Sequence, residues 1–489
     1  MPMRWREPVD VVVVGGGTAG AIAAIASGRT GARTLLVEQY GQIGGMTSAG
    51  MTYLGFLDGQ GRQAVRGIPQ EVFDRLVPLK AATPHMADPL RGSVTQADPE
   101  MLRHTLVAML AEHEIHLLLH AFLSDVLLDR EGLRGVVVET KGGRQALPAK
   151  VVVDATGDAD VAARAGAPFE LGRPEDGRLQ PVSRIFRVGN VHLDRVYAYL
   201  REHPEEFIVP EGWTTPAGEK YDAAYLEETP GTTILLQHVV RQAQQQGKAN
   251  LPKNVISIYT PPCRSGPAEV AINATRLHGI DPTDPDQLTR AELECERQVM
   301  EVFRFLKTTI PGFEESRLLG TPYQVGVRES RRIVGEYVLT AEDVLRGADF
   351  PDAVARGAYP LDIHDVAEGT RVMDRQVHGR AETMVVLPRS YAIPYRSLLP
   401  RQPDNLLVAG RCISATHEAL GSARGQCVCM ATGHAAGTAA ALAALAGVPP
   451  RRLAVPTLQA TLRQQGAILT LDESPGGGRG GTSQHQESA

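Results

Sequence analysis

The first strongly patterned stretch is Asp10–Val14, DVVVV, an almost unbroken β-branched run that stops at three glycines. Apolar residues at every position, rather than at alternate ones, predict a strand buried on both faces. Behind the glycines, TAGAIAAIASGRTG offers a small, apolar helical face, and TLLVE predicts a second buried strand ending at Glu38. The same run-then-glycine pattern returns in VVVDATGDAD (151–160) and NLLVAG (405–410). A helix is predicted over residues 99–118, opened by Asp98–Pro99 and carrying Met101, Leu102, Leu106 and Leu110 on one face. LRGVVVE and ALPAKVVVDATG predict two strands joined by a turn at Gly142–Gly143.

Residues 165–380 follow a different rhythm. RIFRVGNV, NVISIYT and GPAEVAINATR predict short strands, and helices are expected over 224–247 and 288–309. The second of these helices is given a capping box, Thr289 with Glu292. An amphipathic stretch, IPQEVFDRLVPL, interrupts the Pro- and Gly-bearing loops of residues 59–100. The alanine-rich run 435–449 is too short and too weakly apolar for a membrane span and predicts a buried helix. Residues 450–470 predict a terminal helix, and the Gly-, Ser- and Gln-rich tail 472–489 is expected to be disordered.

The first glycine turn carries the clearest chemistry. Gly15, Gly17 and Gly20 form G-x-G-x-x-G between a buried strand and a helix. The first glycine permits a tight turn, the second lets backbone approach a pyrophosphate, and the third allows close helix–strand packing. The helix N-terminus then points its amides at the phosphates. Glu38 lies 23 residues beyond Gly15, the distance expected of a carboxylate that accepts from a ribose 2′-hydroxyl. An acid there disfavours a 2′-phosphorylated cofactor.

The segment after Glu38, QYGQIGGMTSAG, resembles the loop that wraps the pyrophosphate and ribityl chain in FAD enzymes of the glutathione-reductase-like class. VVVDATGDAD and the segment 405–437 are similar to two further parts of those enzymes. With YAIPYRSLLP, VGVRESRRIVGEYVLTAEDV and DPTDPDQLTRAELE, the likeness narrows to the broad family called FAD-dependent oxidoreductase, over most of residues 9–470. The resemblance implies an α/β, Rossmann-like FAD-binding domain of the glutathione-reductase type, discontinuous in sequence (1–165 and 386–471), with an inserted α+β substrate domain (166–385). It implies noncovalent FAD held by Gly15, Gly17, Thr18, Ala19, Gly20, Glu38, Gln39, Gly44, Gly45, Met46, Thr47, Thr156, Gly157, Gly410, Arg411, Gly421, Cys429 and Met430. A helix beginning near Cys429 would bring its N-terminus to the flavin, and Gly433 and Gly437, one turn apart, would allow a close helix–strand or helix–cofactor approach.

Composition narrows the field. The chain has 489 residues, 43% of them hydrophobic, enough for two domains. Its 50 basic and 56 acidic side chains are mixed along the chain, a net −6 that speaks against a nucleic-acid partner. MPMRWREPVD lacks an apolar leader, and five cysteines in so long a chain suggest reduced thiols and a cytoplasmic protein, with no membrane partner. A second G-x-G-x-x-G in its own βαβ unit, a Cys-x4-Cys redox pair and a C-x2-C-x2-C cluster motif are absent. Cys427 and Cys429 are expected to be packed and inert, although a helix start could depress one thiol. His113 and His116 with Glu112 and Glu114 lack H-E-x-x-H order, and no metal site is expected.

Three residues are candidates for the chemistry. His417 is a possible base, and Arg328 and Arg396 are possible grips for a carboxylate or phosphate. Arg328 lies near Glu329, Arg331 and Arg332, which read equally well as salt-bridge partners. The function expected is oxidation of a small polar organic substrate by hydride transfer to flavin N5, with oxygen or an external carrier taking the electrons. The alternatives are a flavin-dependent reductase of an unsaturated carboxylate, and a non-catalytic or RNA-associated FAD-binding protein. A hydroxylating monooxygenase is disfavoured, because its Asp-Gly pairing is replaced by Gly410–Arg411.

Overall fold

The computed structural model describes residues 3–48, 50, 52–130, 132–207, 214–262, 266–364 and 384–473. Cys263 and the tail 474–489 lie outside these residues, as do the side chains of Thr47 and Ser48.

Four of the strands with continuous apolar runs assemble side by side in parallel. Val9–Val14 lies between Thr34–Val37 and the second half of Gly143–Asp154, and Leu406–Val408 flanks the latter. Val14 is in register with both Val37 and Asp154, and Asp154 with Val408, so all four strands end at one level. The turns at Gly15, Glu38, Ala155 and Ala409 therefore open on the same edge, where ligands bind in open α/β sheets. The first half of Gly143–Asp154 turns back on Gly132–Thr140, which pairs with Phe122–Asp129 in an antiparallel meander.

Two helices cover one face of the parallel strands. The opening helix Thr18–Arg29 packs along the closing helix Gln426–Ala446, and both are almost wholly buried. The closing helix is long and apolar enough to cross a membrane by composition, yet 89% of its most apolar window is buried in the protein. It begins three residues before the expected Cys429. Its glycines serve a purpose other than the one expected. A Cβ on Gly433 would sit 2.2 Å from the Ala19 carbonyl oxygen, and one on Gly437 would sit 2.0 Å from that of Ala23. The close approach is helix to helix, not helix to strand or helix to cofactor.

A second sheet runs in the order Thr233–Leu236, Ile256–Tyr259, Ala268–Asn273, Ile185–Val191, Arg317–Gly320, antiparallel throughout. Phe186, Val188, Ile258 and Ile272 from its strands bury against Val299, Val302 and Leu306 of the helix Pro285–Thr309. This core is separate from the one around the parallel strands.

Three expected helices are corrected. The helix predicted over 99–118 ends at Glu112, because Glu114 adopts a left-handed conformation (φ 51°), and His116–Leu118 joins the parallel sheet. The helix predicted over 224–247 is broken at Pro230–Gly231 into Ala223–Glu228, a strand and His238–Gln245. The helix predicted over 288–309 starts at Pro285 with Asp284 as its cap, and the Thr289 hydroxyl bonds back to the Pro285 carbonyl instead of capping.

Gly433→Ala tests the inter-helix contact. It should lower stability by about 1–3 kcal/mol through overpacking, read as a lower urea midpoint, whereas an alanine at exposed Gly447 of the same helix end should not act through packing.

Candidate active site

A cavity of about 400 Å³ opens at the common strand edge. One wall is the glycine turn. Gly15 sits at φ 94°, where a Cβ would lie 2.6 Å from the Ala155 carbonyl oxygen, and a Cβ on Gly20 would lie 1.7 Å from that of Gly15. That compaction leaves the first turn of the opening helix, Gly17–Ala19, facing the cavity. A Cβ on Gly17 would meet nothing closer than Gly45 Cα at 3.9 Å, so backbone there is open to a ligand. Gly45 and Met46 line the same wall, and the Gly44 amide donates to the Gly16 carbonyl at 2.8 Å.

Glu38 is buried, and its two oxygens accept from the backbone amides of Gly16 (2.6 Å) and Tyr40 (2.9 Å). Burial raises its pKa above the usual carboxylate range, while the amide bonds oppose the shift. The carboxylate thus ties the glycine loop to the next strand and does not itself line the cavity. Gln39 is exposed beside it.

The next turn, Ala155–Gly157, is set by Asp154, which sequence reasoning missed as a functional residue. Its carboxylate accepts from the Thr156 amide (3.1 Å), the Thr156 hydroxyl (2.7 Å) and the Ala162 amide (2.9 Å), and burial pushes it up to about 6. Gly157 stands against Arg411, whose Nη2 donates to Asp158 at 2.8 Å and whose Nη1 donates to the Ser330 hydroxyl at 2.8 Å. Arg411 is thus a paired cation on the cavity wall beside the first turns.

The N-terminus of the closing helix, Gly425–Gln426, and Cys429 complete this end. Gln426 donates to the Met46 carbonyl at 3.1 Å, while its own buried side-chain oxygen has no partner among the described residues. Burial pushes the Cys429 thiol up to about 12, with Arg411 and Arg424 only partly opposing, and holds Cys427 well above the usual thiol range. Neither thiol is depressed by the helix start, and both cysteines are buried and free. Two helix N-termini, an open glycine backbone and an unpartnered amide oxygen fit a dinucleotide.

Among the cofactor candidates, Gly17, Thr18, Ala19, Gly45, Met46, Thr156, Gly157, Gly410, Arg411 and Cys429 line the cavity. Gly421 instead packs against Ile363 and Asp362, and Met430 is buried in the core, so neither reaches the cavity. Of the catalytic candidates, only Arg328 lines it. Arg396 is a half-exposed surface residue, bonded to Asp352 and set over the Tyr337 ring. His417 is buried at the start of the helix His417–Ala423, with Nδ1 2.8 Å from Glu329 Oε1. Glu329 also binds buried Arg332, which donates to the carbonyls of Ala415 (2.9 Å) and Gly172 (3.0 Å). His417, Glu329 and Arg332 form a buried ionic brace behind the cavity, while Arg331 pairs with Asp160.

The remainder of the lining is cationic. Arg91, Arg241, Lys253, Arg276 and Arg424 join Arg328 there, with Tyr259, Asn273, Tyr359, Asp362 and His364. Burial, with Arg424 and Arg276 beside it, pushes Arg328 down to about 9. Lys253 Nζ donates to the Asn273 carbonyl (3.3 Å) and to Asn273 Oδ1 (3.4 Å), and Asn273 in turn donates to Tyr259. Burial, then Arg276 and Arg328, hold Lys253 well below the usual lysine range. His364 is likewise held well below the imidazole range by burial and the arginines; its Nδ1 meets Arg276 Nη2 at 3.3 Å and its Nε2 meets Asp362 at 3.3 Å. Apart from Arg328, which its local arginine run marked, and Tyr359, Asp362 and His364, which share one segment, these residues come from separated parts of the chain and form no local motif.

A dinucleotide cradle at the carboxyl edge of a parallel sheet, continued by a polar pocket on a second sheet, defines a nucleotide-dependent α/β enzyme. The chain belongs to the FAD dependent oxidoreductase family, whose model matches residues 10–462, and FAD is its cofactor. It is 32% identical over 186 residues to the thiamine thiazole synthase of Aeropyrum pernix, a match covering 35% of this chain and 63% of that protein's length. A flavin-dependent brominase, solved as a triple mutant, is similar at 13% identity and TM-score 0.45, over 93% of this chain and 84% of its own. A geranylgeranyl bacteriochlorophyll reductase-like protein from Thermoplasma acidophilum is similar at 12% identity and TM-score 0.45, over 96% and 94%.

The brace yields a contrast in stability. Glu329→Gln should cost about 3 kcal/mol by leaving buried Arg332 only the exposed Glu170, at 3.4 Å, as counter-charge, whereas Arg396→Ala, which loses a surface pair, should cost under about 1 kcal/mol. Urea titration of the two variants reads the difference.

Proposed function

We propose that this enzyme oxidises a small polar organic substrate lodged between the dinucleotide cradle and the cationic wall, with Lys253 accepting the proton. Lys253 carries the reading. Its Nζ lies in the cavity lining, makes both its bonds to Asn273 as an N–H donor, and is disfavoured as a cation by burial beside Arg276 and Arg328. His364 is less suited, since Arg276 and Asp362 occupy both ring nitrogens. Bound FAD would supply the hydride acceptor at this site. Removal of a proton by a positioned base as hydride departs is the step the protein must provide. Oxygen or an external carrier takes the electrons onward. The glutathione-reductase-like arrangement, with the substrate segment between residues 166 and 385, belongs to the same reading; Lys253, Arg276 and Arg328 all come from that segment.

One observation favours the opposite direction as a second reading. Arg328, pushed down to about 9, has enough acidity to deliver a proton to an unsaturated carboxylate during its reduction.

The test is spectroscopic. The purified protein should be yellow and release free FAD on acid precipitation, and one class of polar alcohols or amines should bleach it without oxygen. Lys253→Met should keep the flavin yet slow that bleaching roughly 100-fold or more. A flavin bleached by no donor, but reoxidised by an unsaturated carboxylate after chemical reduction, would select the reductase.

A further inference from the structure

The segment 321–326 follows Arg317–Gly320, an edge strand of the second sheet, and returns to the glycine turns. Its backbone is firmly tied. The Gly326 amide donates to the Ser183 carbonyl at 2.6 Å, the Ser183 amide donates to the Gly326 carbonyl at 3.1 Å, and the Val325 amide donates to Glu292 at 2.9 Å. A Cβ on Gly326 would lie 3.3 Å from the Met46 methyl, and one on Gly45 would lie 2.8 Å from Gly17 Cα, so the segment rests on the loop that covers the glycine turn. Gln324 has a partner in the other loop. The Tyr40 hydroxyl donates to Gln324 Oε1 at 2.5 Å, and the Tyr40 ring packs on Tyr323 with 4.4 Å between centroids. Tyr40 stands two residues beyond Glu38, whose carboxylate binds the Tyr40 and Gly16 amides. Gln324 is thus bracketed by the two loops that frame the glycine turn, and it lines the cavity with Gly17, Thr18 and Gly45.

The orientation of the Gln324 amide follows from its partner. Burial, then Glu38, Glu292 and Asp158, push Tyr40 up to about 12, so its phenol stays protonated and donates. The amide oxygen accepts that bond, and the N–H end is what Gln324 offers to the cavity it lines. An N–H donor near the N-terminus of the opening helix suits an acceptor-rich anion, and the pyrophosphate is the acceptor-rich part of the dinucleotide. We propose that Gln324 is a cofactor-binding residue that donates from Nε2 to the pyrophosphate of FAD, with Tyr40 as the positioning residue that fixes its amide. The dinucleotide is then held from two parts of the chain, the glycine turns and the segment that returns from the second sheet. Neither the role of Lys253 nor the direction of the redox reaction bears on this contact.

Serial dilution of the purified holoenzyme, followed by the flavin fluorescence that appears as FAD leaves, tests this. Gln324→Leu should hold FAD roughly tenfold more weakly. Gln324→Glu keeps an oxygen for Tyr40 but removes the N–H and sets a carboxylate against the phosphates, so it should hold FAD more weakly still. A merely structural Gln324 gives the reverse order, because glutamate preserves both its size and the Tyr40 bond. Tyr40→Phe retains the amide and should lose less than Gln324→Leu. ADP, which carries the pyrophosphate without the flavin, is then used to displace FAD. If the two ligands share the lost contact, the ADP concentration that releases half the FAD is the same for Gln324→Leu as for the wild type. A half-release concentration roughly tenfold lower would move the contact to the flavin half and overturn the assignment. So would variants that retain FAD as the wild type does, or Gln324→Glu retaining it better than Gln324→Leu. No substrate is present in these measurements, so their outcome leaves the Lys253 reading untouched.

Discussion

The contact on which the site depends is the backbone-to-backbone approach of two helices, Ala19 against Gly433 and Ala23 against Gly437. Any side chain at either glycine would push the helices apart, and both helix N-termini open on the same cavity. Parallel strands ending at one level supply the floor. The helix pair then sets where two helix N-termini converge. The glycine turn matters for the same reason: Gly20 lets the opening helix descend onto Gly15, and Glu38 holds the loop from the other side through two amides.

This half of the site was largely legible in the sequence, because it is built from contiguous motifs. A buried run, glycines at fixed spacing and a small-residue helix each make their local geometry compulsory. What the sequence leaves open there concerns partners rather than elements. Gly433 and Gly437 were recognisable as a close approach, but one chain position cannot say whether helix, strand or cofactor comes near. Glu38 was recognisable as the acid after the second strand, yet its oxygens bind the Gly16 and Tyr40 amides, a bond that only the folded loop creates. The helix over 99–118 failed for a similar reason. His116–Leu118 keeps an acceptable helical pattern and becomes strand because Thr34–Val37 offers it an open edge.

The other half was not legible, and the physics explains why. Lys253, Arg276, Arg328 and Arg424 owe their meaning to being together in one poorly solvated cavity lining, and that is a tertiary property. Sequence reading rewards local clusters, which is how the run from Arg328 to Arg332 drew attention. The structure divides that run residue by residue: Arg331 pairs with Asp160, Arg332 with Glu329, and Arg328 alone turns to the cavity. His417 was a natural choice of base beside the last glycine turn, but its imidazole is bound to Glu329 inside the brace.

The brace and the wall are two answers to the same electrostatic problem. In the brace, buried Arg332 meets buried Glu329, and its remaining donors reach the Ala415 and Gly172 carbonyls and, at 3.4 Å, the exposed Glu170. The Arg332–Glu329 pair is neutralised and hydrogen-bonded, and although His417 Nε2 is buried without a partner among the described residues, its Nδ1 ties the helix His417–Ala423 to the segment 329–332. Immediately before Glu329 in the chain stands the opposite case: Arg328 is buried, bonds the Pro181 carbonyl and makes no ion pair among the described residues. Because the brace anchors the chain directly after Arg328, and Arg424 closes the helix that His417 opens, the cluster aims two members of the cationic wall into the cavity.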